Sequence, residues 1–307
     1  MIQATKKHRR FLFMFIFPAF IIYTVFMLLP ILNSMKYSLY SGDGLIPGTF
    51  VGLDNFIKLF TEERYYSKFW GAFRNNIRFF LIVTFIQNIL GFFMAVFITR
   101  SFKGSGFMRK LSFLPTTLSV LVVGFIFKLI LNPYYGVFDK VMEAVGMGDF
   151  IIPWLGDPRS ALVIVSIAVS WQFFGESVLF YSSGIDSIDE SIMEAARIDG
   201  ANIWHEIIHI IIPSVLPIVG IVTILIFIGD FTQFDIIFAM TGTKGDPNYS
   251  TDLFGSLFYR TAFSSAERGG WGTGMGATVA TMMFIIVTIG VGGFLAFFNK
   301  KKEELSK

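Results

Sequence analysis

The chain has 307 residues, of which 54% are hydrophobic and only 15% charged, with a mean hydropathy of +0.65. Soluble domains carry charge at about a quarter of their positions, so this composition excludes an ordinary water-soluble protein. Cysteine is absent, which removes disulfide staples, thiolate nucleophiles and cysteine metal sites, and the net charge of +3 sits on basic residues beside apolar runs, as a topology signal rather than a nucleic-acid surface.

Lys6, Lys7, Arg9 and Arg10 precede an apolar run at 11–32. That run is longer than a signal-peptide core and no small-x-small cleavage site follows it, so a retained first span is expected. Further apolar runs lie at about 73–99, 111–131, 161–183, 208–229 and 274–298. Each is near the ~20 residues a helix needs to cross ~30 Å of hydrocarbon. No water reaches that layer to satisfy an open backbone, so helix is the expected state; the alternating segments of a membrane barrel are absent. The fold class is therefore all-α integral membrane with six transmembrane helices.

Turn-forming residues separate the spans: Ser41-Gly-Asp-Gly44, Pro47-Gly48, Asn132-Pro133, Asp157-Pro158 and 241–247. Trp70, Trp154 and Trp271 fall near span ends, as interfacial anchors do. Arg100, Lys103, Arg109, Lys110, Arg197, Lys300, Lys301, Lys302 and Lys307 lie on the same side as the N-terminal basic cluster. The positive-inside rule then places both termini, and the polar segment around Glu194, in the cytoplasm.

Polar residues inside spans are costly and face a cavity or a partner. Gln87 and Asn88 are read as packing, and Lys128 as snorkelling to the outer surface. The fourth span carries Trp171, Gln172 and Glu176, the last two four apart on one helical face. The fifth ends with Asp230 and Gln233, three apart. With Trp171, Phe173, Phe227, Phe231 and Phe234 they suit a sugar: amides and carboxylates bind hydroxyls, and ring faces stack on its C–H surface. The bland alternative is hydrogen bonding between helices.

Between the fourth and fifth spans lies a polar break, 187–213. Glu190, Glu194 and Asp199 suit an early helical turn, and Ser187 with Glu190 fits a capping box. Ala195 and Ala196 admit close approach of another surface. Gly200 can end the helix in a left-handed conformation, and Pro213 and Pro217 bend the next one. The expected product is a short helix along the membrane face, able to pass motion from a soluble partner to the spans. The same segment contains His205-Glu206-Ile-Ile-His209, the H-E-x-x-H pattern of zinc proteases. Asp230, the nearest third ligand considered, is ~30 Å further along a straight helix.

Glu194-Ala195-Ala196, Gly200, Ile210 and Pro213 keep the spacing of the coupling loop in permease subunits of ATP-binding-cassette importers, with Ile212 where leucine is usual. The chain resembles sugar-importer permeases of the maltose and glycerol-phosphate type. Further carriers of the likeness are Gly52–Phe56, Phe113-Leu-Pro115, Asn132–Gly136, Phe234–Thr241, Thr251-Asp-Leu and Tyr259–Phe263.

The resemblance implies the type I importer permease fold as one transmembrane domain over 1–307, with the first span flanking a five-helix core at about 73–298. It implies coupling through Glu190, Glu194, Ala195, Ala196, Asp199, Gly200 and Pro213. Substrate contacts are implied at Phe173, Glu176, Gly229, Asp230 and Gln233, with Gln172 and Trp171 as further candidates. His205 and His209 fall in the coupling pattern's spacer. The implied partners are a second homologous permease, two cytoplasmic ATPase subunits, an extracytoplasmic binding protein, a carbohydrate and membrane lipid, in a bacterial cytoplasmic membrane. No phosphate loop of the G-x-x-x-x-G-K-[ST] form is present, so ATP and Mg are expected on the partner ATPase, with no enzymatic activity, cofactor or metal in this chain. An ion-coupled secondary transporter using Glu176 or Asp230 is the alternative, though its usual matching halves are not found. The zinc protease is a second.

Overall fold

The computed structural model describes residues 6–42, 48–100, 102–263 and 271–305, with only the backbone for 6–13, 299 and 301–305. Part of the turn expected at 41–48 and the terminal Lys307 lie outside these residues. So do the side chains of Lys6, Lys7, Arg9, Arg10, Lys301 and Lys302 in the expected basic flanks.

Helix α1 (Lys6–Tyr23) passes through a π-helical turn (Thr24–Leu28) into α2 (Leu29–Tyr37). α3 (Asp54–Thr61) and the long α4 (Glu63–Thr99) follow. α5 (Ser105–Phe113), a 3₁₀ turn (Leu114–Thr117), α6 (Val120–Ile130) and α7 (Val137–Ala144) lead to α8 (Ala161–Asp186). α9 (Glu190–Ile198) and α10 (Ile203–His205) connect through a second π-helical turn (Glu206–Ile211) to α11 (Ile212–Phe231). α12 (Asp235–Thr241), α13 (Phe254–Phe263) and α14 (Thr273–Leu305) complete the chain. Both π turns end two residues before a proline, Pro30 or Pro213. A proline has no N–H for the carbonyl four residues back, and in each case the residue before it bonds five back instead: Leu29 to Thr24 and Ile212 to Ile207.

Among the described residues, five helices are long and apolar enough to cross a membrane: Met14–Tyr37, Glu63–Thr99, Ala161–Asp186, Ile203–Phe231 and Thr273–Phe298. The expected third span is not one straight helix. Its two halves, Ser105–Thr117 and Val120–Ile130, meet at 94°. Pro115 tightens the first half into 3₁₀ geometry, and Leu118 and Ser119 are extended, so the ladder cannot continue. Six crossings result only if this broken pair counts as one.

The chain divides into two units, 1–66 with 258–282, and 67–257 with 283–307. In the first, buried Asn55 donates through Nδ2 to the carbonyls of Ser38 (2.8 Å) and Tyr40 (2.9 Å), fixing α3 to the end of α2. The second unit holds the site. There α8 packs on α5 and α11, and α12 on α6. Buried asparagines of α4 organise it. Asn75 Nδ2 donates to the carbonyls of Tyr249 and Asp252, while Asn76 donates to Asp230 O and accepts from Phe254 N–H. Arg78 and Arg100 bracket the uncharged stretch 79–99 of α4, ~32 Å of helix and so about one hydrocarbon thickness.

Candidate functional site: a membrane cavity and a coupling helix

α8 and α11, with Gln87 of α4, wall a cavity of ≈ 160 Å³. Phe173, Glu176, Gly229, Asp230 and Gln233 all line it. Asp230 is 3% exposed, and its Oδ2 meets no hydrogen-bond partner among the described residues, while its backbone carbonyl is held by Asn76. Glu176 is exposed, so the two acids differ in their access to solvent. A Cβ at Gly229 would meet nothing within 4 Å beyond its own stretch of helix, so this position opens onto free space.

Other expected contacts lie elsewhere. Gln172 is buried and donates through Nε2 to Leu118 O (3.0 Å) at the break before α6. Trp171 packs edge-on against Phe127. Trp171 sits on another side of α8 from Phe173 and Glu176, because successive helical residues turn by about 100°, whereas Gln172, four residues before Glu176, shares its side but directs its amide to Leu118 O. Phe227 and Phe231 are buried in a ring cluster with Phe80, and Phe227 also meets Phe294, so they pack the core instead of lining the cavity. Gln87, read from sequence as packing, lines the cavity. Its neighbour Asn88 does join helices, accepting from the Tyr181 hydroxyl and donating to Thr223 Oγ1.

Below the cavity, the connection from α8 to α11 forms the expected short helix. Its cap is Asp189 rather than Ser187. The Asp189 carboxylate accepts from the Ser191 hydroxyl (2.8 Å) and N–H (2.9 Å), whereas Ser187 Oγ turns back to Gly184 O. Those hydrogen bonds, the hydroxyl's first, hold the Asp189 carboxyl below the usual aspartate range. At the other end Gly200 has φ +82°, with Gly200 N–H bonded to Arg197 O and Ala201 N–H to Ala196 O. This double closure is the Schellman turn that glycine permits at low cost.

Ile188 and Met193 plug α9 into a cluster of Val96, Ile207, Ile211 and Val215. Glu206, with its side chain 5% exposed, ties the same junction by charge. It accepts from Arg197 Nε on the helix (2.9 Å) and from Arg100 at the end of α4 (3.3 Å). Nothing in sequence flagged this triad, because its partners stand 106 and 9 residues from Glu206. The outward face carries Glu190, Glu194 and Ala195, with Asp199 beyond the helix end, and exposed Ile192, Ile198, Ile203 and Trp204. Pro213 lies at the start of α11.

The H-E-x-x-H segment is differently employed. Its glutamate is the carboxylate held by the two arginines, His205 Nδ1 lies 3.0 Å from Asn202 Oδ1, and the two imidazoles stack. No cluster of three or more metal-ligating side chains occurs among the described residues.

Residues 87–303 match the family model described as "Binding-protein-dependent transport system inner membrane component". The chain belongs to that family. As a transport permease it is similar over nearly its full length to LacF, the lactose transport system permease protein of Rhizobium radiobacter: 30% identical over 293 residues, 95% of this chain and 94% of that protein. MsmF, the multiple sugar-binding transport system permease protein of Streptococcus mutans, is 32% identical over 296 residues, 95% of each chain. The permease fold also superposes on a bacterial ABC transporter that imports the acidic polysaccharide alginate, with TM-score 0.79, 19% identity and 98% of both chains covered. It is a multi-pass membrane permease, and its relatives are named as transport permeases, not as proteases.

Proposed function

We propose that the chain is one of two permease subunits of an ATP-driven importer for a carbohydrate, most simply an oligosaccharide, in a bacterial cytoplasmic membrane. The observation that carries this is a shared pair of helices: α8 and α11 wall the polar cavity and are joined by α9. A displacement of α9 therefore changes the cavity walls directly. The sugar-transport names of similar permeases support the substrate class. A related solved transporter in complex with a sugar-loaded periplasmic protein supports delivery by a separate binding protein.

In this reading both termini face the cytoplasm, with Arg100, Lys103, Arg109, Lys110 and Arg197 on that side. Two cytoplasmic ATPase subunits hold ATP and Mg, and one of them grips Glu190, Glu194, Ala195, Ala196, Asp199 and Gly200. Ile198 and Trp204 add the apolar contact of such an interface. Glu176, Asp230, Gln233 and Gln87 offer acceptors and donors to sugar hydroxyls, and Phe173 a ring face. The test is reconstitution of the co-expressed importer in proteoliposomes. Uptake of labelled sugar should require internal ATP and external binding protein. Uptake driven by a proton or sodium gradient without ATP would reject the proposal.

A further inference from the structure

A second, larger groove of ≈ 710 Å³ lies at the far end of α4 from Arg100, between α4, the start of α8 and the loop 248–252. Lys68, Arg74, Arg78 and Arg159 line it. Arg74, Arg78 and Arg159 are exposed residues, and their guanidinium groups bond to no carboxylate or carbonyl among the described residues. Lys68 Nζ lies 3.3 Å from the centroid of the Tyr249 ring. The only acid in the lining, Asp252, is buried and accepts from Ser256 Oγ, so the groove is strongly cationic. Its wall is prebuilt, because Asn75 pins the loop through the carbonyls of Tyr249 and Asp252.

Depth decides the occupant. Arg78 stands at the edge of the uncharged stretch 79–99, Arg74 one turn (~6 Å) above it, and Arg159 just ahead of the apolar start of α8. That is the headgroup layer. Below the cations the groove continues over Leu81 and Val163, both exposed apolar side chains. Cations above and an apolar track below match a molecule with a phosphate head and a hydrocarbon tail. An acidic protein surface would have no use for the track. Cations are also scarce on this side of such chains, so four in one groove run against the topological trend.

We infer that this groove is a binding site for an anionic phospholipid of the leaflet opposite the coupling helix. The guanidinium forks take the phosphodiester, and an acyl chain lies along Leu81 and Val163.

The test uses the full-length chain co-expressed with its importer partners, placed in nanodiscs of equal phosphatidylglycerol and phosphatidylcholine. Tightly retained lipid is identified by native mass spectrometry. Wild type should retain phosphatidylglycerol over phosphatidylcholine, and each change among Arg74→Gln, Arg78→Gln and Arg159→Gln should lower that preference about fivefold. Arg78→Lys should keep part of it, and Lys110→Gln, an exposed cation at the other membrane face, should leave it unchanged. Equal preference in wild type and the triple variant overturns the inference, as does an equal loss from Lys110→Gln. An unchanged lipid preference, with weakened association of the binding protein in lipid-free micelles, would assign the groove to a protein partner instead.

Discussion

Glu206→Gln tests the mechanical link most directly. The substitution keeps shape and removes one charge from a carboxylate that joins α9, the π turn and α4. A charge-assisted hydrogen bond contributes ~1.5–3 kcal/mol, and breaking a fully buried pair costs ~3–5 kcal/mol. Here the arginine side chains are 34% and 60% exposed, so water recovers much of their solvation once they are released. A net loss of ~1–2 kcal/mol at the junction is expected. If that energy keeps α9 moving with α4 and α11, a loss of ~1.4 kcal/mol raises the population of uncoupled junctions about tenfold. The assay is sugar imported per ATP hydrolysed in proteoliposomes loaded with binding protein. E206Q should lower this ratio while ATP hydrolysis persists. Arg100→Gln in the E206Q background should add less than it does alone. A wild-type ratio in E206Q, or strict additivity of the two changes, would refute the proposed link.

Three further outcomes are expected. Gly200→Val forces a β-branched residue to φ +82°, at ~1–2 kcal/mol of strain, and should weaken ATPase association in co-purification. Gly229→Phe adds a ring to open space; a cavity of about 150 Å³ holds one benzene, so the ≈ 160 Å³ here should fill, with uptake abolished and subunit assembly intact. Asp189 is held below the usual aspartate range, so its cap is fully present above the unfolded value of ~3.9 and is lost as pH falls through the lower folded value. Amide-exchange protection of 190–198 should decline in that acid window in wild type, and Asp189→Asn should flatten the decline.

The spans were legible because solvent exclusion dictates helix wherever about twenty apolar residues run together. The short helix α9 was legible because Gly200, which closes it, is a local signal. What failed was local competition and long-range pairing. Asp189 outcompetes Ser187 for the cap because its carboxylate reaches the Ser191 N–H, while the Ser187 hydroxyl satisfies Gly184 O. The third span looked continuous because the apolar count ignores Pro115 and the extended Leu118 and Ser119. In the cavity, the residues placed by family likeness came together. Of the two added from their side-chain chemistry, Trp171 faces Phe127 on another side of α8, and Gln172 is held by the Leu118 carbonyl, which no local pattern in the sequence announces. Glu206 was hidden inside a short metal-binding pattern, since no local signal could reveal that its charge answers Arg100.

Ile198, at 86% exposed, and Trp204, at 61%, also bear on how the cell manufactures this machine. In the proposed orientation this patch faces the cytosol, where it is harmless only while something covers it. On that proposal, copies synthesised in excess of an ATPase partner would display it to chaperones and proteases, which recognise such surfaces. If an ATPase subunit covers these residues, as proposed, then the subunits must be made in balance, because surplus permease would keep the patch open.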